Sequence, residues 1–213
     1  MLKLAEIFCS LQGESTWAGL PCIFIRLAGC NLRCSYCDTK YAYIEKFKMS
    51  SDEVLDEIKK YSPIKLVEIT GGEPLLQKGI YELCDKLHNQ NYKILLETNG
   101  SLFLKNVPKF VHKIVDIKCP SSGESESFKQ ENLQFLNRET DEIKFVLANR
   151  ADYDFACKKK SEYNLEGYEI LFTTVFKKLP PAKLAKWMIA DRLSVRLQLQ
   201  LHKYIWSPHK KGV

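Results

Sequence analysis

The chain contains 213 residues, of which 45% are hydrophobic and 27% are charged, and it carries a formal net charge of +6. This balance is typical of a globular protein and excludes a largely disordered chain. No apolar run is long enough to span a membrane, and Glu6 lies where a secretory signal would be apolar. We therefore expect a single domain, residues 1–213, in the cytoplasm and without a membrane partner.

The positive charge is carried by lysines along the whole chain, with one dense run at 158–160. Because no aromatic residues are interleaved with that run, it favours a solvated helix face over a nucleic-acid-binding patch. We therefore expect no nucleic-acid partner. A mildly basic surface also suits an acidic electron donor.

Six short runs rich in branched apolar residues are predicted to be β-strands. In chain order they are Cys22–Leu27, Leu66–Ile69, Lys93–Glu97, Ile114–Ile117, Glu142–Leu147 and Glu169–Phe172. Helical patterns lie between several of them, including Ser51–Tyr61, with Ser51 as its predicted cap, and Ile80–His88. This alternation predicts an α/β fold with a parallel sheet, whose carboxyl-terminal strand ends carry functional loops.

Two later segments are also assigned from their pattern. The segment 120–127, rich in serine, is predicted to be one exposed loop. Val195–Tyr204 alternates between apolar and polar residues and is predicted to be a strand. Its polar face, which includes Gln198, Gln200 and His202, lies either in solvent at a sheet edge or against a polar site.

Three of the eight cysteines form a C-x3-C-x2-C run of Cys30, Cys34 and Cys37. This spacing predicts a metal site in a reducing compartment rather than a disulfide framework. Three thiolates from one loop suit a 4Fe-4S cluster whose fourth iron is free to bind a small molecule. A structural zinc site with a distant fourth ligand such as Cys119 is the alternative.

Two polar motifs follow the second and third predicted strands. Thr70-Gly71-Gly72-Glu73 ends the second strand, where glycines let the backbone approach a ligand closely. Glu97-Thr98-Asn99-Gly100 ends the third strand and places polar side chains on the same rim. Each motif alone is also compatible with an ordinary turn.

In combination these motifs resemble the radical S-adenosylmethionine (SAM) superfamily: C-x3-C-x2-C with an aromatic residue before the last cysteine, then Gly-Gly-Glu-Pro, then Glu-Thr-Asn-Gly. The resemblance implies an α/β fold, a partial (β/α) barrel with about six parallel strands plus a C-terminal strand. It implies that Cys30, Cys34 and Cys37 bind a 4Fe-4S cluster and that SAM is the second cofactor. The residues that it assigns to SAM are Gly71, Gly72, Glu73, Asp116, Ile117 and Lys118.

The flanking segments resemble one family within that superfamily, the 7-carboxy-7-deazaguanine synthases. The matching segments are 8–15, 25–30, 37–39, 116–123 and 206–213, so the resemblance covers nearly the whole chain. It implies a carbon–nitrogen lyase that converts 6-carboxy-5,6,7,8-tetrahydropterin into 7-carboxy-7-deazaguanine with release of ammonia, on the route to queuosine and related 7-deazapurines. It assigns Mg2+ to Thr39 and the pterin to Leu11, Gln12, Gly13, Glu14, Arg26, Thr70 and Val213.

Several of the assigned side chains suit these ligands. Gln12 and Glu14 offer amide and carboxylate groups to the donor and acceptor edge of a pterin, and Arg26 can pair with a carboxylate through two hydrogen bonds. The Thr39 hydroxyl is acceptable to Mg2+, although a turn or capping hydroxyl is the alternative. His202 is either a packed histidine or a catalytic base.

The resemblance also implies the type of reaction and the partners. An electron from the cluster cleaves SAM to a 5'-deoxyadenosyl radical, which takes the hydrogen from C6 of the pterin, and SAM is regenerated afterwards. The resemblance further implies that an electron donor such as a flavodoxin or ferredoxin supplies the electron and that the enzyme is a homodimer. Two alternatives stay open: a radical SAM activase that installs a glycyl radical on a partner protein, and a non-enzymatic electron-transfer or zinc-binding module.

Overall fold

The computed structural model describes residues 1–207 and 210–213. Its strands are β1 (Leu2–Leu11), β2 (Pro21–Leu27), β3 (Phe47–Met49), β4 (Leu66–Gly71), β5 (Lys93–Thr98), β6 (His112–Asp116), β7 (Glu142–Leu147), β8 (Glu169–Thr174) and β9 (Arg196–Gln198). Its α-helices are α1 (Ser51–Ile58), α2 (Gly79–Asn89), α3 (Arg150–Glu162), α4 (Pro181–Ala190) and α5 (His202–Ile205). Short 3-10 helices span Lys40–Tyr43, Lys59–Tyr61, Pro74–Leu76, Pro120–Ser122 and Gln130–Phe135.

These strands form one sheet in the order β3-β1-β2-β4-β5-β6-β7-β8-β9. Parallel pairing runs from β2 to β4 and then in turn through β5, β6, β7 and β8 to β9. β1 is antiparallel to both β2 and β3. The six predicted strands and the α/β class are confirmed, and the sheet has β3 and β9 at its two edges.

The strands β1 and β3 are present although no sequence pattern predicts them. β1 pairs with β2 along most of its length, but the register shifts between Leu4 and Glu6. This bulge interrupts the two-residue alternation from which strands are predicted. β3 has only three residues, which is too short for any pattern to be recognised.

The C-terminal strand is shorter than predicted. The sequence predicts one strand over Val195–Tyr204, but only Arg196–Gln198 pairs with β8, and His202–Ile205 is helical. The chain leaves the sheet after β9, and the Leu201 N–H donates instead to the Gly13 carbonyl oxygen at 2.8 Å. The polar alternation continues beyond the strand because these side chains face a polar site rather than a neighbouring strand.

Helices cover one face of the sheet. Alternate residues of β2 and β4, such as Ile25 and Ile69, pack with α1 and α2 in one buried cluster. Phe145 of β7 and Phe172 of β8 pack with α3 and α4 in a second cluster. Burial of each such side chain stabilises the fold by roughly 1.5–3 kcal/mol. No helix in the described residues combines the length and apolarity needed to cross a membrane.

The first turn of α1 is closed by a capping box. Ser50 Oγ accepts from the Glu53 N–H at 3.2 Å, and the Ser50 N–H donates to Glu53 Oε2 at 2.6 Å. The sequence predicts Ser51 as the cap, and this prediction is wrong, because the capping residue is Ser50. Ser51 is the first helical residue and is buried.

The opposite face of the sheet is apolar at one end and polar at its centre. Near the starts of the parallel strands it carries a small apolar cluster of Cys22, Phe24, Leu66, Leu95 and Ile114. One step further along the strands it carries Arg26, Glu68, Glu97, Asp116 and Lys144. Because charged groups in the middle of a sheet are stable only when paired or hydrated, this face identifies the site.

The segment 120–127 is not simply the exposed loop that the sequence predicts. Ser122 is buried, and its carbonyl oxygen accepts from the Ser35 N–H at 2.9 Å. Ser35 Oγ donates to the Ser121 carbonyl oxygen at 2.6 Å. Small serine side chains allow this close approach, so the segment supports the cysteine loop.

Candidate active site

A cavity of about 750 Å³ opens where the parallel strands end. It brings together most of the residues that the sequence assigns to a site. Those lining it are Leu11, Gln12, Gly13, Glu14, Arg26, Cys30, Cys34, Cys37, Thr39, Thr70, Gly71, Gly72, Asp116, Lys118 and Val213. Glu73 and Ile117 are buried and do not line it.

The three loop cysteines follow β2, and each is partly exposed at the cavity. The Cys37 N–H donates to the Cys34 carbonyl oxygen at 3.2 Å, which turns the loop. Cys30 Sγ accepts from the Leu32 N–H at 3.4 Å and from Asn99 Nδ2 at 3.9 Å. Because N–H donors around sulfur suit a thiolate ligand, the residues present fit an iron–sulfur cluster.

A zinc site with Cys119 does not match the geometry. Cys119 is fully buried in the cluster beside α3, and it does not line the cavity. Within residues 1–207 and 210–213, no three His, Cys, Asp or Glu side chains lie close enough together to hold one metal ion. A cubane cluster binds each thiolate at a different iron, so it does not require that convergence.

Gly71 and Gly72 bring the end of β4 against the cysteine loop. A Cβ atom on Gly72 would lie 2.1 Å from the Gly29 carbonyl oxygen and 2.7 Å from Cys30 Cβ. Gly71 has φ of +144°, and a Cβ there would lie 2.1 Å from the Leu27 carbonyl oxygen. Gly71 is therefore required by close contact with the backbone at the end of β2, and Gly72 by close contact with the start of the cysteine loop.

Glu73 links strand ends and does not face the cavity. Its carboxylate accepts from the Leu75 N–H at 3.0 Å, from Thr98 Oγ1 at 2.8 Å and from the Asn99 N–H at 2.8 Å. Its own N–H donates to the Gly29 carbonyl oxygen at 2.8 Å. The side chain thus fixes the ends of β4 and β5 beside the cysteine loop.

The loop between β1 and β2 closes the cavity at its floor. Gln12 is only 2% exposed; its Nε2 donates to Glu68, and its Oε1 accepts from the Glu14 N–H at 3.1 Å. Burial, assisted by the nearby Glu97 carboxylate, raises the pKa of Glu68 to about 8. Glu68 is therefore mostly protonated at neutral pH.

Glu14 is the charged group of this floor. Its carboxylate accepts from Lys144 Nζ at 3.1 Å, from Gln198 Nε2 at 3.1 Å and from Gln200 Nε2 at 3.0 Å. Burial alone would raise the pKa of Glu14, but the Lys144 ammonium group and the hydrogen bonds hold it at about 2. Lys144 Nζ also contacts the Glu97 carboxylate.

Sequence reasoning missed Glu68 and Lys144. Each lies in the middle of a correctly predicted strand, in the runs Leu-Val-Glu-Ile-Thr and Glu-Ile-Lys-Phe-Val-Leu. A charged residue inside an otherwise apolar central strand is the signal that could have found them. Such a residue is tolerated only where a partner or a polar cavity receives it.

Arg26 reaches the cavity from β2. Its Nε donates to Glu6 Oε1 at 2.8 Å, and the same oxygen accepts from the Tyr41 hydroxyl at 2.8 Å. The terminal amino groups of Arg26 donate no hydrogen bond to the part of the chain that is described. The guanidinium group is thus fixed at one edge and available to an anion at the other.

Thr39 lies beside Asp38 at the cavity wall. The Thr39 hydroxyl makes no capping bond to the 3-10 helix that follows it, and it donates to Asp38 Oδ1 at 2.9 Å. Asp38 Oδ2 accepts from Lys203 Nζ at 2.5 Å. Two hard oxygen donors are therefore adjacent in the position that the sequence assigns to Mg2+.

Asp116 has one paired and one unpaired carboxylate oxygen. Oδ2 accepts from Lys118 Nζ at 2.6 Å, whereas Oδ1 is buried and has no partner among the described residues. A buried oxygen without a donor costs free energy, so this atom indicates a ligand that donates to it. Ile117, between them, points into the core.

The C-terminal segment forms another wall of the cavity. His202, Lys203 and Val213 line it, and burial lowers the pKa of His202. The predicted contact segment 206–213 includes Pro208 and His209, which lie outside the described residues.

Sequence comparison identifies relatives over the full length. The radical SAM superfamily profile matches residues 24–120. A 7-carboxy-7-deazaguanine synthase of Koribacter versatilis is 47% identical, with 100% of both chains covered. A 7-carboxy-7-deazaguanine synthase of Chlorobaculum tepidum is 46% identical, with 100% of this chain and 97% of the relative covered.

Solved structures share the fold. QueE from Escherichia coli superimposes with a TM-score of 0.79 at 24% identity, with 94% of each chain covered. Streptococcus suis SuiB bound to S-adenosylmethionine superimposes with a TM-score of 0.56 at 14% identity, with 80% of this chain and 47% of SuiB covered. Because full-length relatives at 46–47% identity share one name, and because the cysteine loop and sheet match the superfamily, this chain belongs to the 7-carboxy-7-deazaguanine synthase family of radical SAM enzymes.

Proposed function

We propose that this protein is a carbon–nitrogen lyase that converts 6-carboxy-5,6,7,8-tetrahydropterin into 7-carboxy-7-deazaguanine with release of ammonia. The observation that carries the proposal is a single cavity with two unlike walls. One side of the cavity is formed by the cysteine loop and Gly71-Gly72. The other side is formed by hydrogen-bonding groups that include Glu14 and Arg26. One cavity can therefore receive a cofactor and a polar heterocycle side by side.

Membership of the radical SAM superfamily implies a 4Fe-4S cluster and SAM. When bound, these cofactors supply the one-electron chemistry that removes hydrogen from a substrate. The residues that would hold the cluster are Cys30, Cys34 and Cys37, and those proposed for SAM are Gly71, Gly72, Glu73, Asp116, Ile117 and Lys118. For Glu73 and Ile117 the contact would be through the backbone, because their side chains are buried elsewhere.

The floor residues would bind and orient the pterin. The nitrogen and the oxygen of the Gln12 side-chain amide already form hydrogen bonds within the protein. The backbone of residues 11–13, rather than that side chain, would therefore form hydrogen bonds with the heterocycle. Glu14 stays ionised and would accept from ring N–H groups. Arg26 would pair with the substrate carboxylate, while Thr70 and Val213 complete the contacts.

Mg2+ is a further part of the proposal. The Thr39 hydroxyl and the neighbouring Asp38 carboxylate are oxygen donors at the cavity wall. Mg2+ retains several water ligands and takes substrate oxygens readily, so few protein ligands are needed. Loss of product formation in a Thr39→Val variant, with the cluster retained, would support this assignment.

The activase alternative is not favoured. The full-length relatives carry the synthase name, and the Gln-Gly-Glu element that distinguishes the synthases lines the cavity as its floor. That floor gives a small heterocycle polar partners on several sides.

The test is anaerobic incubation with SAM, a reductant, Mg2+ and 6-carboxytetrahydropterin, followed by mass spectrometry. We expect 7-carboxy-7-deazaguanine and ammonia in equal amounts. A Cys34→Ala variant should lose iron and activity, and a matched Cys119→Ala variant should keep both. Cleavage of SAM without any deazaguanine product would reject this substrate.

We also propose that an acidic electron-transfer protein of the flavodoxin or ferredoxin type docks beside the cysteine loop. Basic side chains surround the loop and the cavity mouth: Arg33, Lys40, Lys178, Lys210 and Lys211. None of them forms an ion pair with the described residues, so their charges add up around the loop. Clustered uncompensated charge speeds the encounter with an oppositely charged protein.

Charge reversal separates this docking from the chemistry. A Lys178→Glu/Lys211→Glu variant should reduce turnover driven by reduced flavodoxin about tenfold at low salt, and dithionite-driven turnover much less. Lys158→Glu on α3 is the matched control.

We propose in addition that the protein is a homodimer. Sedimentation analysis of the reconstituted protein can measure this oligomeric state.

A further inference from the structure

Lys144 occupies the centre of β7, and its side chain is only 5% exposed. A buried ammonium group is stable only with close anionic partners. One carboxylate is enough for that purpose elsewhere in this fold, where buried Lys113 pairs with Asp141 at 2.8 Å. Lys144 instead contacts two, Glu14 Oε2 at 3.1 Å and Glu97 Oε1.

The two carboxylates come from distant parts of the chain. Glu14 belongs to the β1–β2 loop, and it also accepts from Gln198 and Gln200. Glu97 belongs to β5, and its Oε2 accepts from Thr70 Oγ1 at 3.1 Å. Lys144 therefore connects the floor of the cavity to the ends of the central strands.

The carboxylates keep hydrogen-bonding capacity that the protein does not use. An ionised carboxylate can accept about four hydrogen bonds. Among the described residues, Glu14 accepts three side-chain hydrogen bonds and Glu97 accepts two. Both line the cavity, so acceptor positions remain for a ligand that carries several N–H groups.

Lys144 itself is not suited to proton transfer. Burial lowers its pKa, but Glu14 and Glu97 outweigh burial and hold the pKa well above its ordinary value. The ammonium group therefore retains its proton at neutral pH. The ammonium group therefore contributes to the site by fixing the positions of the Glu14 and Glu97 carboxylates.

We propose that Lys144 is a positioning residue that acts through Glu14 and Glu97, holding both carboxylates in place to accept N–H groups of the substrate. This inference rests on the proposed function, because a tetrahydropterin supplies those donors from its amino group and ring nitrogens. Truncation of Lys144 leaves the two carboxylates to repel each other and to move apart. The loss therefore falls on substrate binding.

Steady-state kinetics of the reconstituted enzyme, with saturating SAM and varied 6-carboxytetrahydropterin, test this role. We expect Lys144→Met to raise KM for the pterin about tenfold or more, with a smaller effect on kcat. Lys144→Arg keeps the charge and should recover much of the affinity. Lys113→Met removes an equally buried lysine outside the cavity, so it should lower Tm but leave KM for the pterin unchanged.

A double-mutant cycle is the second measurement. It tests the positioning role even if the Lys144→Met variant folds poorly. In a Glu97→Gln background, Lys144→Gln should raise KM by a smaller factor than it does alone, because one of its partners is gone. An unchanged KM in Lys144→Met, or a loss in kcat alone that Lys144→Arg does not rescue, would overturn the positioning role. A wild-type enzyme that forms no deazaguanine acid would instead overturn the proposed function, and this inference with it.

Discussion

Gly13 lies directly against the imidazole ring of His202, although 189 positions separate the two residues along the chain. A Cβ atom on Gly13 would lie 2.3 Å from His202 Nδ1. The Gly13 carbonyl oxygen also accepts from the Leu201 N–H at 2.8 Å. The floor loop and the C-terminal wall of the cavity therefore hold each other in place.

A Gly13→Ala substitution should disrupt this contact. The added methyl group must displace His202, which overpacks the site and should destabilise the protein by about 1–3 kcal/mol. A His202→Ala substitution in the same chain removes the clash, so the double variant should be more stable than the two single losses predict. Thermal unfolding of the four proteins measures this coupling, and strictly additive losses would show that the contact is absent.

Gly72→Ala should separate the strand end from the cysteine loop. The methyl group would meet the Gly29 carbonyl oxygen, and backbone cannot move aside as a flexible side chain can. We expect a destabilisation of about 2 kcal/mol or more and a lower iron content after reconstitution. Gly19→Ala is the control: its φ of +94° also strains an alanine, but a Cβ there has no atom within 4 Å, so stability should fall while iron is retained. An equal loss of iron in both variants would contradict the prediction.

Asp116→Asn should weaken SAM binding. Oδ1 has no donor among the described residues, so we expect bound SAM to supply one, and an amide in either orientation weakens that acceptor or removes the ion pair with Lys118. We expect the Kd of SAM to rise about tenfold, measured by titration of the reconstituted protein. Affinity for the pterin should change less, and equal losses for both ligands would instead indicate general distortion of the cavity.

The sequence could predict those parts of the fold that depend on local pattern. The six strands carry branched apolar runs, and the loop of Cys30, Cys34 and Cys37 has an unmistakable spacing. Each of these signals lies within about ten neighbouring residues. Their carboxyl-terminal ends meet at one edge because the strands are parallel, which is why most of the predicted site residues line one cavity.

Other parts depended on contacts between distant residues. Lys144 and Glu14 are separated by 130 positions, and nothing near either residue indicates the other. The β1 bulge and the turn after β9 follow from tertiary contacts in the same way. The sequence indicates a substrate contact for the Gln12 amide because its buried partner, Glu68, lies 56 positions away and nothing near Gln12 indicates it.

The protonated state of Glu68 leads to a pH-dependent stability that can be measured. Burial raises its pKa from 4.5 to about 8 in the folded protein, so between these values the unfolded chain loses the proton while the folded chain keeps it. Rising pH therefore favours unfolding of the wild type across this window, and Glu68→Gln, which resembles the neutral acid, should escape that loss. Thermal unfolding of the anaerobic holoenzyme should give similar Tm values for the two proteins near pH 5 and a higher Tm for Glu68→Gln at pH 8.5. A constant difference at every pH would show that Glu68 ionises normally within the fold, and its contact with Gln12 would then be that of a charged carboxylate.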